Sequence, residues 1–392
     1  MAIYFALRRS SISFTPDSWA YWQGAVSILE GKGYRYFSGV PIIYFPPLYS
    51  LYLAAWTSII GLSSFALIVA NGVTAGIQCA GWMRLAMALT SSSGQQTRAP
   101  GYLFAGAFIA MFVPFMESGV LAHNLFYTIL PFHILNVLSL LRDPEKGARK
   151  QTALLLLSSI LMVLAHNSAI VFLTASSIAV LVFRSSSPLL QRLFIAGITF
   201  CAPVAVGLAS RLYLEQYDSH PFGAGRYSSL EYIQQGVLGL GDLLFLKPTA
   251  VVGLPVLAAI MAWFFIFSQR RMTMPLLAIV FTVIPFFLLV AILSVTWITE
   301  PLNERFIFFI VLLIIPASLI ASSCRPLALA ILVALTLPAL TARTAHAMLV
   351  KAAPAIPDAV APDWYLSRLP NPGETIIRDG RVHLAPPRFR WG

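Results

Sequence analysis

One carboxylate, Asp17, stands in the aromatic stretch FTPDSWAYWQGAVSILEGKGYRYF, Phe14 to Phe37, near the start of a very apolar chain. A lone acid can take a proton from an attacking hydroxyl as a general base. An acid in the first turn of a helix is also favoured by the helix dipole, with no chemistry at all. Position alone makes the two readings equal. Arg305, in NERF beside Glu304 and near Glu300, and Arg226, in FGAGRY, carry the planar fork that binds phosphate through paired hydrogen bonds. A helix-end ion pair and a solvated loop arginine are the plainer alternatives. The tripeptide Ala-His-Asn occurs at 122–124 and again at 165–167, which makes His123, Asn124 and His166 candidates for lining a site. One histidine per loop does not define a metal centre. Interhelical hydrogen bonding is their plainer role, as it is for His133 and Asn136. Lys32, Tyr34 and Arg35 either touch a substrate or anchor the loop to anionic headgroups.

The setting of these residues is a membrane. Of 392 residues, 58% are hydrophobic and only 10% charged, with a mean hydropathy of +0.79. A soluble globular chain carries about 25% charged residues. Runs such as Leu276–Ile298 reach the roughly 20 residues that one helix needs to cross a bilayer. Cys79, Cys201 and Cys324 lie in or beside apolar runs, as buried small side chains do, not in a disulfide or zinc pattern. The net charge of +11 lies between apolar segments, which excludes a nucleic-acid patch and reads as topology signalling.

The apolar runs predict spans at 64–90, 101–117, 124–141, 152–166, 168–184, 192–211, 249–268, 274–298, 306–324 and 326–345. If these alternate from an outside start, the connections carrying Arg98, Arg142 to Lys150, Arg184 and Arg192, Arg270–Arg271 and Arg325 all fall in the cytoplasm. The bend at His166–Asn167, the loops 118–123, 212–248 and 299–305, and the tail are then external. The segment FPPLYSLYLAAWTSIIGL, 45–62, cannot be a full crossing without inverting every later loop. It is expected to be a helix lying in or dipping into the outer leaflet, started by Pro46–Pro47.

Residues 16–30 are expected to be an external helix, capped by Thr15, begun by Pro16 and ended by Gly31 and Gly33. Trp19, Tyr21, Trp22, Ala25, Val26, Ile28 and Leu29 would face the membrane boundary. An external first loop, 8–63, normally follows an inserted helix, yet only Met1–Leu7 precede Arg8–Arg9, so a further span upstream is expected. No signal-peptide pattern is present. The domain expectation is one transmembrane unit, 1–349, and a proline-rich external tail, 350–392, extended and with little core of its own.

The stretch PDSWAYWQGAVSILEGKGYRYFSGVPIIYFPPLYSLYLA resembles the first external loop of the GT-C superfamily of membrane glycosyltransferases. The pattern is closest to bacterial relatives of the protein mannosyltransferases and aminoarabinose transferases: Asp then Tyr, a small-residue helix, Gly-x-Gly-Tyr and Pro-Pro-Leu-Tyr. HPFGAGRYSS resembles the family's external Gly-x-Arg segment, and NERFIFFIVLLIIPA its Glu-Arg start of a late helix. The resemblance runs over most of residues 10–325. It implies an all-α, polytopic bundle of about ten or eleven transmembrane helices with external juxtamembrane helices. It implies a sugar donor linked to a polyprenyl (pyro)phosphate, and transfer with inversion to an external lipid, polysaccharide or protein acceptor. The site would face the outside of the inner (plasma) membrane.

In that family the acid matched by Asp17 deprotonates or orients the acceptor, in some members beside a divalent metal. Arg305 and Arg226 would then hold donor phosphate. Tyr21, Tyr34, His123, Asn124, His166 and Glu304 are the further substrate-contacting candidates. Where relatives often carry a second acid, this chain reads LAHNLF, with Glu117 upstream; where an arginine is expected near the tight bend it reads LAHNSA. Those changes weaken a carboxylate-bound metal; a metal shared by His123, His166 and Asp17 is the lesser expectation. Two other classes stay open. A lipid-sugar transporter would carry ionisable groups at mid-depth in several spans, whereas here charges gather at the ends. A non-catalytic glycan-assembly subunit fits the missing second acid.

Overall fold

The computed structural model describes residues 16–36, 39, 41–42, 45–90, 99–116, 122–142, 148–184, 187–212, 229–244, 273–295, 304–336, 341, 375–378 and 381–384. These residues are almost entirely helical. In chain order the helices are α1 Pro16–Leu29, α2 Leu48–Ile60, α3 Ser64–Thr90, α4 Ala99–Met116, α5 Ala122–Arg142 and α6 Ala148–Ala165. They continue as α7 Ala169–Phe183, α8 Leu189–Leu212, α9 Ser229–Leu244, α10 Thr273–Val295 and α11 Glu304–Ala321. A 3₁₀ turn, Ser322–Cys324, leads into α12, Pro326–Thr336.

Every predicted span except 249–268, which lies outside the described residues, coincides with a helix at similar bounds. The last, 326–345, is described as helix as far as Thr336. Three segments among the described residues are individually long and apolar enough to cross a membrane: Phe65–Thr90, Ala122–Arg142 and Leu189–Ala209. In the other apolar helices the apolar stretch is shorter, and some of them are largely covered by neighbours. Helix α11 is the extreme case: from Phe308 to Ile320 its non-proline side chains are buried on all sides. A helix apolar all round belongs in such a place. Helix α8 is the opposite, with Leu190 82% and Phe194 66% exposed, a surface suited to lipid.

Side-chain contacts show which helix ends lie together. Arg142, at the end of α5, donates to the Ala88 carbonyl near the end of α3. Gly101, at the start of α4, abuts Ser323 and the last turn of α11. Arg192, at the start of α8, donates to the Leu181 carbonyl near the end of α7, at 2.7 Å. The described basic connections therefore join helix ends on the side away from α1 and α2. At the other end, the start of α5 meets the α6–α7 bend, through His123 and His166, and the start of α11, through Tyr127 and Phe308. This is the arrangement that the arginine and lysine pattern predicts.

Helix α1 ends where expected. Gly31 takes a φ of 71°, a left-handed conformation that costs glycine little, and the Lys32 N–H returns to the Ser27 carbonyl at 2.9 Å. Helix α2 spans only about 20 Å at 1.5 Å per residue, too short for a crossing, and begins after Pro47.

One expectation needs correcting. The aromatic face of α1 is not offered to the membrane boundary: Tyr21, Trp22, Ala25 and Val26 are buried against Tyr49, Leu53 and Ala54 of α2 and against α3. Burial between helices removes more apolar area from water than lying at an interface would. The predicted connection 212–248 contains α9, which packs on α10 and α11 through a fully buried Tyr232. Within the tail, strands β1 Thr375–Arg378 and β2 Arg381–Leu384 pair antiparallel.

Candidate functional site

Asp17 is the second residue of α1, and the helix that carries it is pinned by its neighbours. The Tyr21 ring meets Phe45 at 5.0 Å and Tyr49 at 5.3 Å, both edge to face. The Ser50 hydroxyl donates to the Tyr21 carbonyl at 2.8 Å. Gly24 is required by close approach: a Cβ there would collide with the Tyr34 ring and sit 2.9 Å from Ser50 Oγ. The Tyr34 hydroxyl donates to the Phe45 carbonyl at 3.0 Å. Burial pushes that phenol well above its ordinary pKa, so it stays a neutral donor. The described contacts of Tyr21 and Tyr34 are thus internal, and they hold the first loop in shape.

The loop module is fastened to the bundle by a buried polar network. Tyr49 of α2 donates to Asn71 Oδ1 of α3 at 2.8 Å, and Asn124 Nδ2 of α5 approaches the same oxygen at 3.4 Å. Gln78 donates to the Asn124 carbonyl at 2.8 Å, and Thr128 to the same carbonyl at 2.7 Å. Asn71, Thr74 and Gln78 are not among the residues that the sequence singles out by motif. Their signal was legible all the same: polar residues at i, i+3 and i+7 of an apolar helix make one stripe, and all three are buried. Replacing Asn71 by Leu is expected to destabilise the protein by about 1–3 kcal/mol, because the Tyr49 hydroxyl loses a buried acceptor. Thermal unfolding of the purified protein reads this, with Tyr49→Phe as the milder partner variant.

Beside Asn124, the two Ala-His-Asn tripeptides come together. The His123 and His166 rings lie 4.0 Å apart between centroids, tilted by 48°. His123 is buried; His166 is half-buried in the turn between α6 and α7. Phe126 flanks His166 at 5.5 Å and Tyr127 stacks on His123 at 6.2 Å. The Ser168 backbone N–H donates to His166 Nδ1 at 3.0 Å. Arg305 and Glu304 open α11, one turn before Phe308, whose ring is 4.0 Å from Tyr127. One end of the bundle therefore holds the helix of Asp17, the histidine pair and the start of the helix of Arg305. The side chains of Asp17, Glu304 and Arg305, and all of Glu117 and Arg226, lie outside the described residues.

Whether His166 suits a divalent metal depends on its tautomer. A histidine that binds metal through Nε2 carries its proton on Nδ1, but here Nδ1 accepts the Ser168 N–H. Among the described residues no three His, Cys, Asp or Glu side chains group as metal ligands. With Nδ1 engaged in this way, His166 does not offer Nε2 to a metal. His133 likewise has an internal role, bridging Ser158 at 3.1 Å and Ser176 at 2.7 Å, and so joins α5, α6 and α7.

The fold of the described residues is that of a polytopic, almost entirely helical membrane protein. Solved structures similar to it include ArnT from Cupriavidus metallidurans bound to undecaprenyl phosphate, at 14% identity, and the same protein in the apo state, at 12%. Each superposes with a TM-score of 0.54 over 82% of this chain. The chain spans 57% of the length of those ArnT chains. No protein-family model and no curated protein sequence matches it.

Proposed function

We propose that the protein is a membrane glycosyltransferase that moves a sugar from a polyprenyl-phosphate-linked donor to an acceptor outside the inner (plasma) membrane. The observation that carries the reading is the gathering, at the end opposite the basic connections, of α1, the histidine pair and the start of α11, within an ArnT-like fold. In this reading the acceptor hydroxyl oxygen attacks the anomeric carbon and gives its proton to Asp17. The bond from that carbon to the phosphate oxygen breaks with inversion, and the electron pair leaves with the polyprenyl phosphate. Arg305, with Arg226, offsets the charge gathering on the leaving phosphate, where a cation helps more than a second acid. Glu304 orients Arg305; His123, Asn124 and His166 line the site. Tyr21 and Tyr34 hold the loop that presents Asp17. The acceptor is an external lipid, polysaccharide or protein.

Lipid-linked sugars and surface glycans of a deletion strain test this. Donor should accumulate, accessible from the outer face, and one surface modification should disappear. Accumulation on the cytoplasmic face alone would favour a flippase and sink the transferase reading.

A further inference from the structure

We propose that the seam between α3 and α5, on the basic side of the bundle, binds an anionic phospholipid of the phosphatidylglycerol type, with Arg84 and Ser139 holding its phosphate. This site is independent of the transferase reading. Gly81, Arg84 and Ala88 stand at i, i+3 and i+7 of α3, so they share one side of that helix. Both neighbours of Arg84 on this side meet α5. A Cβ at Gly81 would lie 2.8 Å from Pro131 Cγ and 2.9 Å from Phe132 Cε2. The Arg142 guanidinium donates to the Ala88 carbonyl. Arg84 lies between these two contacts, at the edge where the seam opens: Ile77, 43% exposed, and Met87, 42% exposed, share its flank of α3. On α5, Ser139 stands two turns after Phe132 and one turn before Arg142, and it is exposed as Arg84 is.

Depth and charge together select a lipid phosphate. Arg84 lies twenty residues after Ser64, the first residue of α3, which is about 30 Å along the axis at 1.5 Å per residue. The hydrocarbon core is roughly 30 Å thick, so Arg84 stands where hydrocarbon gives way to headgroups on the side of the basic connections. A charge at that depth requires a counter-charge or water. Neither Arg84 nor Ser139 has a hydrogen-bond partner among the described residues. The sequences of α3, α4, α5 and α6 contain no acid at all. The planar fork of an arginine suits two phosphate oxygens, and a serine hydroxyl adds one hydrogen bond. Arg149 and Lys150, exposed at the start of α6, add positive charge to the same surface. Such a surface favours a headgroup of net negative charge over a zwitterionic one, whose ammonium offsets its own phosphate.

The test uses the full chain, delipidated in detergent and titrated with defined lipids, with binding read by native mass spectrometry. The wild type is expected to bind phosphatidylglycerol about fivefold or more tightly than phosphatidylcholine, with the margin shrinking as salt rises. R84Q should lower the affinity for phosphatidylglycerol about tenfold or more. R84K, which keeps the charge and loses the fork, and S139A should each lower it about threefold. K150Q removes a charge from the same surface without touching the seam, and should cost about threefold or less. Thermal unfolding in phosphatidylcholine should be the same for R84Q and the wild type, which separates a lost lipid from a lost fold.

R84Q binding phosphatidylglycerol as the wild type does, or K150Q losing as much as R84Q, overturns the site and leaves only a diffuse surface charge. Phosphatidylcholine binding as tightly as phosphatidylglycerol overturns the choice of an anionic lipid. Undecaprenyl monophosphate displacing phosphatidylglycerol at a lower concentration would name a phosphate monoester as the occupant, and overturns the phospholipid. Should R84Q fold poorly, the affinities of R84K and S139A decide in its place: wild-type binding by both overturns the site.

Discussion

Replacing Asp17 by Asn is expected to lower sugar transfer by about 10²- to 10⁴-fold, the usual contribution of a general base. The change is nearly isosteric. Its helix is held by Tyr21, Trp22, Ala25 and Val26 in a buried cluster, so insertion and folding should be unaffected. Binding of the polyprenyl-phosphate donor should also persist, because the phosphate is assigned to Arg305 and Arg226. The fall should therefore lie in kcat, with KM for the donor near its wild-type value. Asp17→Glu, which keeps the carboxylate but moves it by one methylene, should retain part of the rate. An Asp17→Asn protein that localises normally and still modifies the cell-surface glycan in full would remove the mechanism.

The second large effect is on stability. Gly101→Val is expected to destabilise the protein severely, by about 3 kcal/mol or more, and Gly101→Ala by about 1–3 kcal/mol. A Cβ at this position would lie 2.6 Å from the Leu319 carbonyl oxygen and 2.9 Å from Ile320 Cα. Both atoms are backbone of α11, the most enclosed helix of the bundle, and cannot turn aside as a flexible side chain can. Small residues at membrane helix crossings serve such close approach. Gly106 lies further along α4, and a methyl group added there would meet nothing within 4 Å, so Gly106→Ala should be neutral or slightly stabilising. Thermal unfolding of the purified variants in detergent separates the two. Equal loss at both positions would argue that helix propensity, not the α4–α11 contact, sets the cost.

Much of the fold follows from the chain read in one dimension. Hydrophobic run length placed the helices, and the arginines and lysines between them sorted their ends into two sets. Arg142 beside Ala88, and Gly101 beside Ser323, bear out that sorting. Gly31 and Gly33 marked the end of α1, and the pair Pro46–Pro47 the start of α2. These features are local: each depends on a few neighbouring residues, whose backbone preferences and cost of burial act within a helical turn.

The pairing of His123 with His166, the Tyr49–Asn71–Asn124 network and the burial of the α1 aromatic face were settled only in three dimensions. Each depends on the rotation of one helix about its axis relative to another. Helices such as α7, AIVFLTASSIAVLVF, are apolar on every side, so their sequence carries almost no mark of which face meets protein and which meets lipid. That choice is made by packing: by where a glycine admits a neighbour's backbone, and by where a buried polar group finds its partner.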